Sequence, residues 1–133
     1  VEKAPPQREG VSYIRDKNID VFFVTFNKDE LFHEDVRYED YAINENLFHW
    51  QSQNPISLSS ETGQRYINQR NNGTEVLLFA REYSKVNNIS QPFTFFGPMD
   101  YVSHQGEKPI SLTWRLQHPM SPDLLPCYLR AAV

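Results

Sequence analysis

The chain has a single cysteine, Cys127, only five glycines, and no apolar run long enough to cross a bilayer. One cysteine excludes an internal disulfide and any zinc site built on cysteine pairs. Cys127 therefore reads as a small apolar packing residue. No secretory pattern opens the sequence, so the sequons at Asn72-Gly73-Thr74 and Asn88-Ile89-Ser90 read as turn chemistry. A reducing, cytoplasmic setting is the expectation. An excess of basic charge is also missing: 13 Lys and Arg face 17 Asp and Glu, for a net charge of -4. Proteins that hold nucleic acid mainly by neutralising phosphate are usually basic. Any such binding here must rest on a local patch and on base contacts, or on a larger parent protein.

Catalytic signatures are equally scarce. There is no G-x-S-x-G elbow, Walker loop, H-E-x-x-H or usably spaced Cys-His pair. The four histidines (His33, His49, His104 and His118) fall in separate segments. The acidic residues Asp29, Glu30, Glu34, Asp35, Glu39 and Asp40 read as a solvated loop more readily than as a magnesium site. The expectation is a binding module without metal, cofactor or membrane contact, and not an enzyme.

What is present is β chemistry. At 133 residues the chain is the size of one domain and long enough for a core without staples. Aromatic residues make up 14% and are spread throughout. Residues 1–10 read as a proline-containing linker, and residues 11–133 as a single domain. Val11 to Arg15 and Asp20 to Phe26 flank a turn, as do Tyr38 to Ile43 and Leu47 to Gln53. Ser59 to Arg70 has helical spacing weakened by Gly63. Glu75 to Tyr83, Pro92 to Phe96 and Asp100 to His104 read as further strands, with a polar loop at Ser84 to Gln91. The clearest alternation puts Ile110, Leu112, Trp114 and Leu116 on one side of a strand and Ser111, Thr113, Arg115 and Gln117 on the other. A last helical turn is expected within Ser121 to Arg130. The pattern predicts a mainly β (α+β) domain: a curled antiparallel sheet or small, partly open β-barrel with one or two short helices.

Candidate binding residues fall in three places. In Leu47 to Gln53, Phe48, Trp50 and Ser52 share one face, and His49, Gln51 and Gln53 the other. Core packing is the ordinary use of the aromatics, whereas Gln and His suit hydrogen bonds to base edges. Gly63 to Arg70 packs Arg65, Tyr66, Asn68 and Arg70 into eight residues, a composition suited to a duplex backbone or groove. His104 lies in a third polar stretch, Tyr101 to Lys108, and Arg115 sits on an outward strand face.

The strings Asp20-Val21-Phe22-Phe23-Val24-Thr25-Phe26-Asn27-Lys28, Leu47 to Gln53 and Thr62 to Asn68 resemble the C-terminal domain of unknown function of bacterial DEAD/DEAH-type helicases. Phe93 to Pro98, Tyr101 to His104 and Trp114 to Leu116 add to the likeness, which spans about residues 10 to 120. Many of those proteins carry a phospholipase D-like nuclease domain at the N-terminus. The resemblance implies a piece of a restriction or defence-type helicase-nuclease, and it assigns no binding residue. Two functions follow as expectations. One is an accessory DNA reader of the PUA, SRA or B3 kind, by architectural analogy only. It would bind duplex DNA, modified cytosine included, by stacking an extruded base on Phe48, Trp50 or Tyr66 and reading its edge with Gln51, Gln53 or Arg65. The other is a docking domain for the helicase core, marked by an exposed apolar patch.

Overall fold

The computed structural model describes residues 10–27 and 40–129. The expected linker lies outside these residues except for Gly10. So does the expected strand start at Tyr38 and Glu39, and the acidic run except for Asp40.

β1 (Gly10–Ile14) and β2 (Ile19–Asn27) form the first hairpin. A 3-10 turn at Arg15–Lys17 joins them and closes on Asn18 in the left-handed region. That conformation suits asparagine better than most residues. The next hairpin pairs β3 (Tyr41–Ala42) with β4 (Leu47–Gln51). Its turn is set by Asn44, whose Oδ1 accepts from the Asn46 and Leu47 amides.

α1 (Glu61–Ile67) is capped by Ser60, whose hydroxyl accepts from the Gly63 amide. Gly63 is not a weakness here. A Cβ at that position would collide with the Ser57 carbonyl oxygen, so the close approach of the chain requires glycine. The helix breaks at Asn68, and α2 (Gln69–Asn72) ends on Gly73 in the left-handed region.

β5 (Glu75–Tyr83) spans the residues expected of it. The segment read as a polar loop contains a small hairpin, β6 (Lys85–Val86) and β7 (Ile89–Ser90), turning through left-handed Asn87 and Asn88. The two short strands expected at Pro92–Phe96 and Asp100–His104 are one strand, β8 (Thr94–Gln105). Gly97 and Pro98 do not end it. A register shift opposite Leu78 and Phe79 and a positive φ at Gly97 absorb the irregularity as a bulge. β9 (Ser111–Leu116) follows, and α3 (Leu125–Tyr128) lies within the expected last helical turn.

Seven strands form one sheet in the order β1-β2-β5-β8-β9-β4-β3. The sheet is mixed, a correction to the antiparallel expectation: β2 and β5 run parallel. Everything from β3 to α2 lies between them in the chain, ample for the crossover that a parallel pair needs.

The sheet is strongly curled. Flat, β2 and β4 would lie roughly 19 Å apart, four strand spacings. Instead Phe22 of β2 stacks on Trp50 of β4 with ring centroids 4.2 Å apart. The core fills this concave side, where Phe22, Phe48, Leu112 and Trp114 are fully buried. Tyr66 of α1 packs edge-on against Phe22, Trp50 and Trp114, and Tyr128 of α3 packs against Phe26 and Phe96. The curl stops short of a closed barrel, because among the described residues no ladder joins edge strands β1 and β3.

Candidate functional site

The unclosed seam is where the chemistry gathers. β3 is two residues long, so it runs out alongside Phe48 and His49. Among the described residues the next stretch of β4 has no strand on that side, and the Gln51 amide donates to Asp40 Oδ1 at 2.9 Å. Across the gap lies β1, the opposite edge of the sheet. Between them sits a cavity of about 140 Å³. Gly10, Val11, Phe23 and Trp50 line it on the apolar side, and Asp40, Gln51, Ser52 and Gln53 supply its polar groups. Gly10 has a φ of +137°, and a Cβ there would meet nothing within 4 Å. It is open space at the rim of the cavity.

The polar wall is held firmly. Ser52 is fully buried; its Oγ accepts from the Ile110 amide at 2.9 Å and donates to the Gln53 carbonyl at 3.1 Å. Gln51 Nε2 donates to Ser111 Oγ at 3.2 Å. Alternation along β4 sends Trp50 inward and Gln51 outward. At the open sheet edge both residues border the same gap, Trp50 with part of its ring system and Gln51 with its carboxamide turned to Ser111 of β9.

The other sequence-derived candidates fall elsewhere. Tyr66 is 3% exposed and belongs to the core, so it offers no surface for stacking. Phe48 is fully buried, and Trp50, at 6% exposure, offers the cavity little surface. Arg65 is bound to a buried carboxylate: its Nε and Nη2 donate to Asp20 Oδ2 and Oδ1 at 2.8 and 3.0 Å. Burial pushes the Asp20 carboxyl up against the pull of Arg65. Burial would lower the Arg65 guanidinium, but the hydrogen bonds and charge of Asp20 outweigh it and hold it raised. Asn68 Nδ2 donates to Gln64 Oε1 at the end of α1. Arg70 is exposed beside Gly73, far along the chain from the seam residues. His104 Nδ1 lies 2.7 Å from the Tyr101 hydroxyl near the end of β8.

His49 and Arg115 join a polar outer face. Register sets His49 opposite Thr113 and Tyr41, Gln51 opposite Ser111, and Arg115 between Leu47 and Asp100. Tyr41 and His49 stack at 4.8 Å. Cross-strand neighbours of this kind lie about 5 Å apart, so the face is a continuous polar sheet of three strands or more.

Farther round the same sheet the outer side is apolar. Phe23, Phe79, Phe93 and Phe95 form a chain of ring contacts at 4.8 to 5.5 Å. Phe95 is 54% exposed, and Val86 and Ile89 of the β6-β7 hairpin are exposed as well. Arg81 lies over the Phe93 ring at 4.1 Å and donates to Thr25 Oγ1 and the Gln91 carbonyl. Sequence reasoning did not find this cluster. Its signal was the run of phenylalanines at both parities of β2. Asp40 was also missed as a site residue, having been grouped with the acidic loop.

Fold and site together define a curled mixed-sheet domain with an unclosed seam, a pocket at that seam and an aromatic outer patch. The chain belongs to the family described as a domain of unknown function, DUF3427, whose model matches residues 2–127. No curated protein matches it. No helix among the described residues is long and apolar enough to cross a membrane.

Proposed function

We propose that this domain is a non-catalytic DNA-reading module, acting as an accessory part of a larger helicase-nuclease of the restriction or defence kind and reading one base, modified cytosine included, in the seam pocket. The observation that carries the reading is the pocket itself. It combines an apolar wall from Phe23, Val11 and Trp50 with the Asp40 carboxylate and the Gln53 carboxamide, at the scale of one small heterocycle. A carboxylate only accepts hydrogen bonds, so Asp40 favours a base edge that presents an amino group, as cytosine, adenine and guanine do and thymine does not. Net acidity is no obstacle to this mode, because selectivity comes from the pocket and the parent chain supplies electrostatic affinity.

The test is fluorescence-anisotropy binding of the domain to duplexes carrying plain, methylated and hydroxymethylated cytosine, at two salt concentrations. The reading expects tighter binding to one duplex class with a shallow salt dependence. Salt-steep binding without preference would reduce the domain to a backbone clamp.

The Phe95 patch favours a second reading, docking on the helicase core or a partner subunit, since exposed apolar clusters mark interaction surfaces. Absence of binding to every duplex transfers the domain to that role. Co-purification with the helicase core, lost on Phe95→Asp, would then be the expected result.

A further inference from the structure

A second cleft lies at the other end of β1, between the Arg15–Lys17 turn and α1. It has a volume of about 350 Å³. Tyr13 forms its floor, with the Arg65 guanidinium 3.9 Å from the ring centroid and that of Arg15 5.4 Å away. Gln64, Asn68 and Asn72 contribute carboxamides, and Glu61 stands at the mouth.

Arg65 is the built part of this cleft. Two of its nitrogens are engaged by Asp20 and its flat face by Tyr13, so its plane is fixed before anything binds. Nη1 makes no hydrogen bond among the described residues, yet it is not among the buried, unsatisfied atoms. It therefore keeps accessible surface in the cleft wall. A guanidinium held by a carboxylate on one edge and presenting N–H groups on the other is a geometry suited to an oxyanion.

The floor is rigid as well. The Tyr13 hydroxyl donates to Asn18 Oδ1, which also accepts from Thr74 Oγ1, and Asn18 Nδ2 donates to the Asn72 carbonyl. These bonds lock the β1-β2 turn to the end of α2 and the start of β5. Arg15 is exposed by contrast: its side chain is 73% exposed and meets Glu61, itself 81% exposed, at 3.8 Å. An exposed pair of this kind contributes little and yields readily to a better partner.

We infer that this cleft holds a backbone phosphodiester of the strand whose base enters the seam pocket, with Arg65 Nη1 as the fixed donor and Arg15 as the cation that closes on it. The inference rests on the DNA-reading proposal and adds its anchoring point. β1 connects the two sites: Val11 lines the pocket, Tyr13 the cleft, and Arg15 follows directly in the 3-10 turn, about 13 Å from Val11 along a nearly extended chain. Glu61 is then a competitor for Arg15, not a ligand.

The experiment compares the intact domain with Arg15→Gln and Glu61→Gln on the plain and modified duplexes across a salt series. Both substitutions are on exposed side chains and leave the Asp20–Arg65 pair untouched. Arg15→Gln is expected to weaken binding about threefold to tenfold on every duplex alike and to reduce the salt slope by about 1. Glu61→Gln is expected to tighten binding about threefold by releasing Arg15 and removing a like charge. Preference between duplexes stays unchanged in both. If the unaltered domain binds duplex and neither variant shifts affinity or slope, the cleft assignment is overturned while the pocket reading stands. If the unaltered domain binds no duplex, both fall together. A titration with inorganic phosphate at matched ionic strength, followed by the side-chain amide resonances of Asn68 and Asn72, separates the sources. No saturable shift in the millimolar range is expected; a saturable one would make this a small-anion site and overturn the strand assignment.

Discussion

Asp20 and Arg65 show at the residue scale why a cation rich in binding potential is partly spent on structure. Asp20 is fully buried, and Arg65 is its one charge partner among the described residues. Removing one member of such a pair leaves an uncompensated charge in the interior. Asp20→Asn is therefore expected to destabilise the domain by about 3 kcal/mol in urea unfolding. The double variant Asp20→Leu, Arg65→Met is expected to recover most of that loss, because burial already works against the charged Asp20. A double variant no more stable than the single one would mean that the pair contributes more than it costs. Arg65 was legible in the sequence as a cation among amides. Its partner, 45 residues away, was not, because no local period links a residue on β2 to one on α1. Phe48 and Tyr66 mark the same limit: an aromatic next to amides reads equally as platform or core until burial decides.

At the scale of elements, local pattern carried far where one rule acted alone. Strict alternation over Ile110 to Leu116 placed Leu112, Trp114 and Leu116 in the core and Arg115 outside, and all four positions hold. It failed where two rules competed. Gly97-Pro98 is a stop signal by composition, but β8 continues because a bulge accepts both residues. Gly63 is a helix-weakening residue by propensity, yet tertiary contact demands it. Gly63→Ala forces a methyl group against the Ser57 carbonyl oxygen and close to Ile110 Cδ1. The expected cost is about 2 kcal/mol, in the range of overpacked sites, read as a lower urea midpoint with an unchanged slope. A neutral result would show that the Ser57 loop moves freely, and with it the wall of α1.

For the whole molecule, the decisive feature is a curl that nearly closes. Phe22 meets Trp50 across the concave side, yet β1 and β3 remain separate edges. A closed barrel would leave no seam, and a flatter sheet would carry Trp50 and Phe23 too far apart to line one cavity. The expectation of a curled, partly open sheet came from many short strands with turn signals. The parallel β2-β5 pair stayed hidden because strand order depends on contacts distant in sequence. So did the cavity, whose lining draws together β1, β2, β4 and Asp40 from distant parts of the chain.

The central claim is that this seam pocket reads a base. The most direct test is duplex binding by Asp40→Asn and Gln53→Ala beside the unaltered domain, with melting temperatures measured in parallel. Asn at position 40 keeps an oxygen for the Gln51 amide but exchanges a pure acceptor for a mixed donor and acceptor. The account predicts folded variants whose preference between plain and modified duplexes falls by about tenfold, the scale of one good base contact. Folded variants that keep the full preference of the unaltered domain would contradict it.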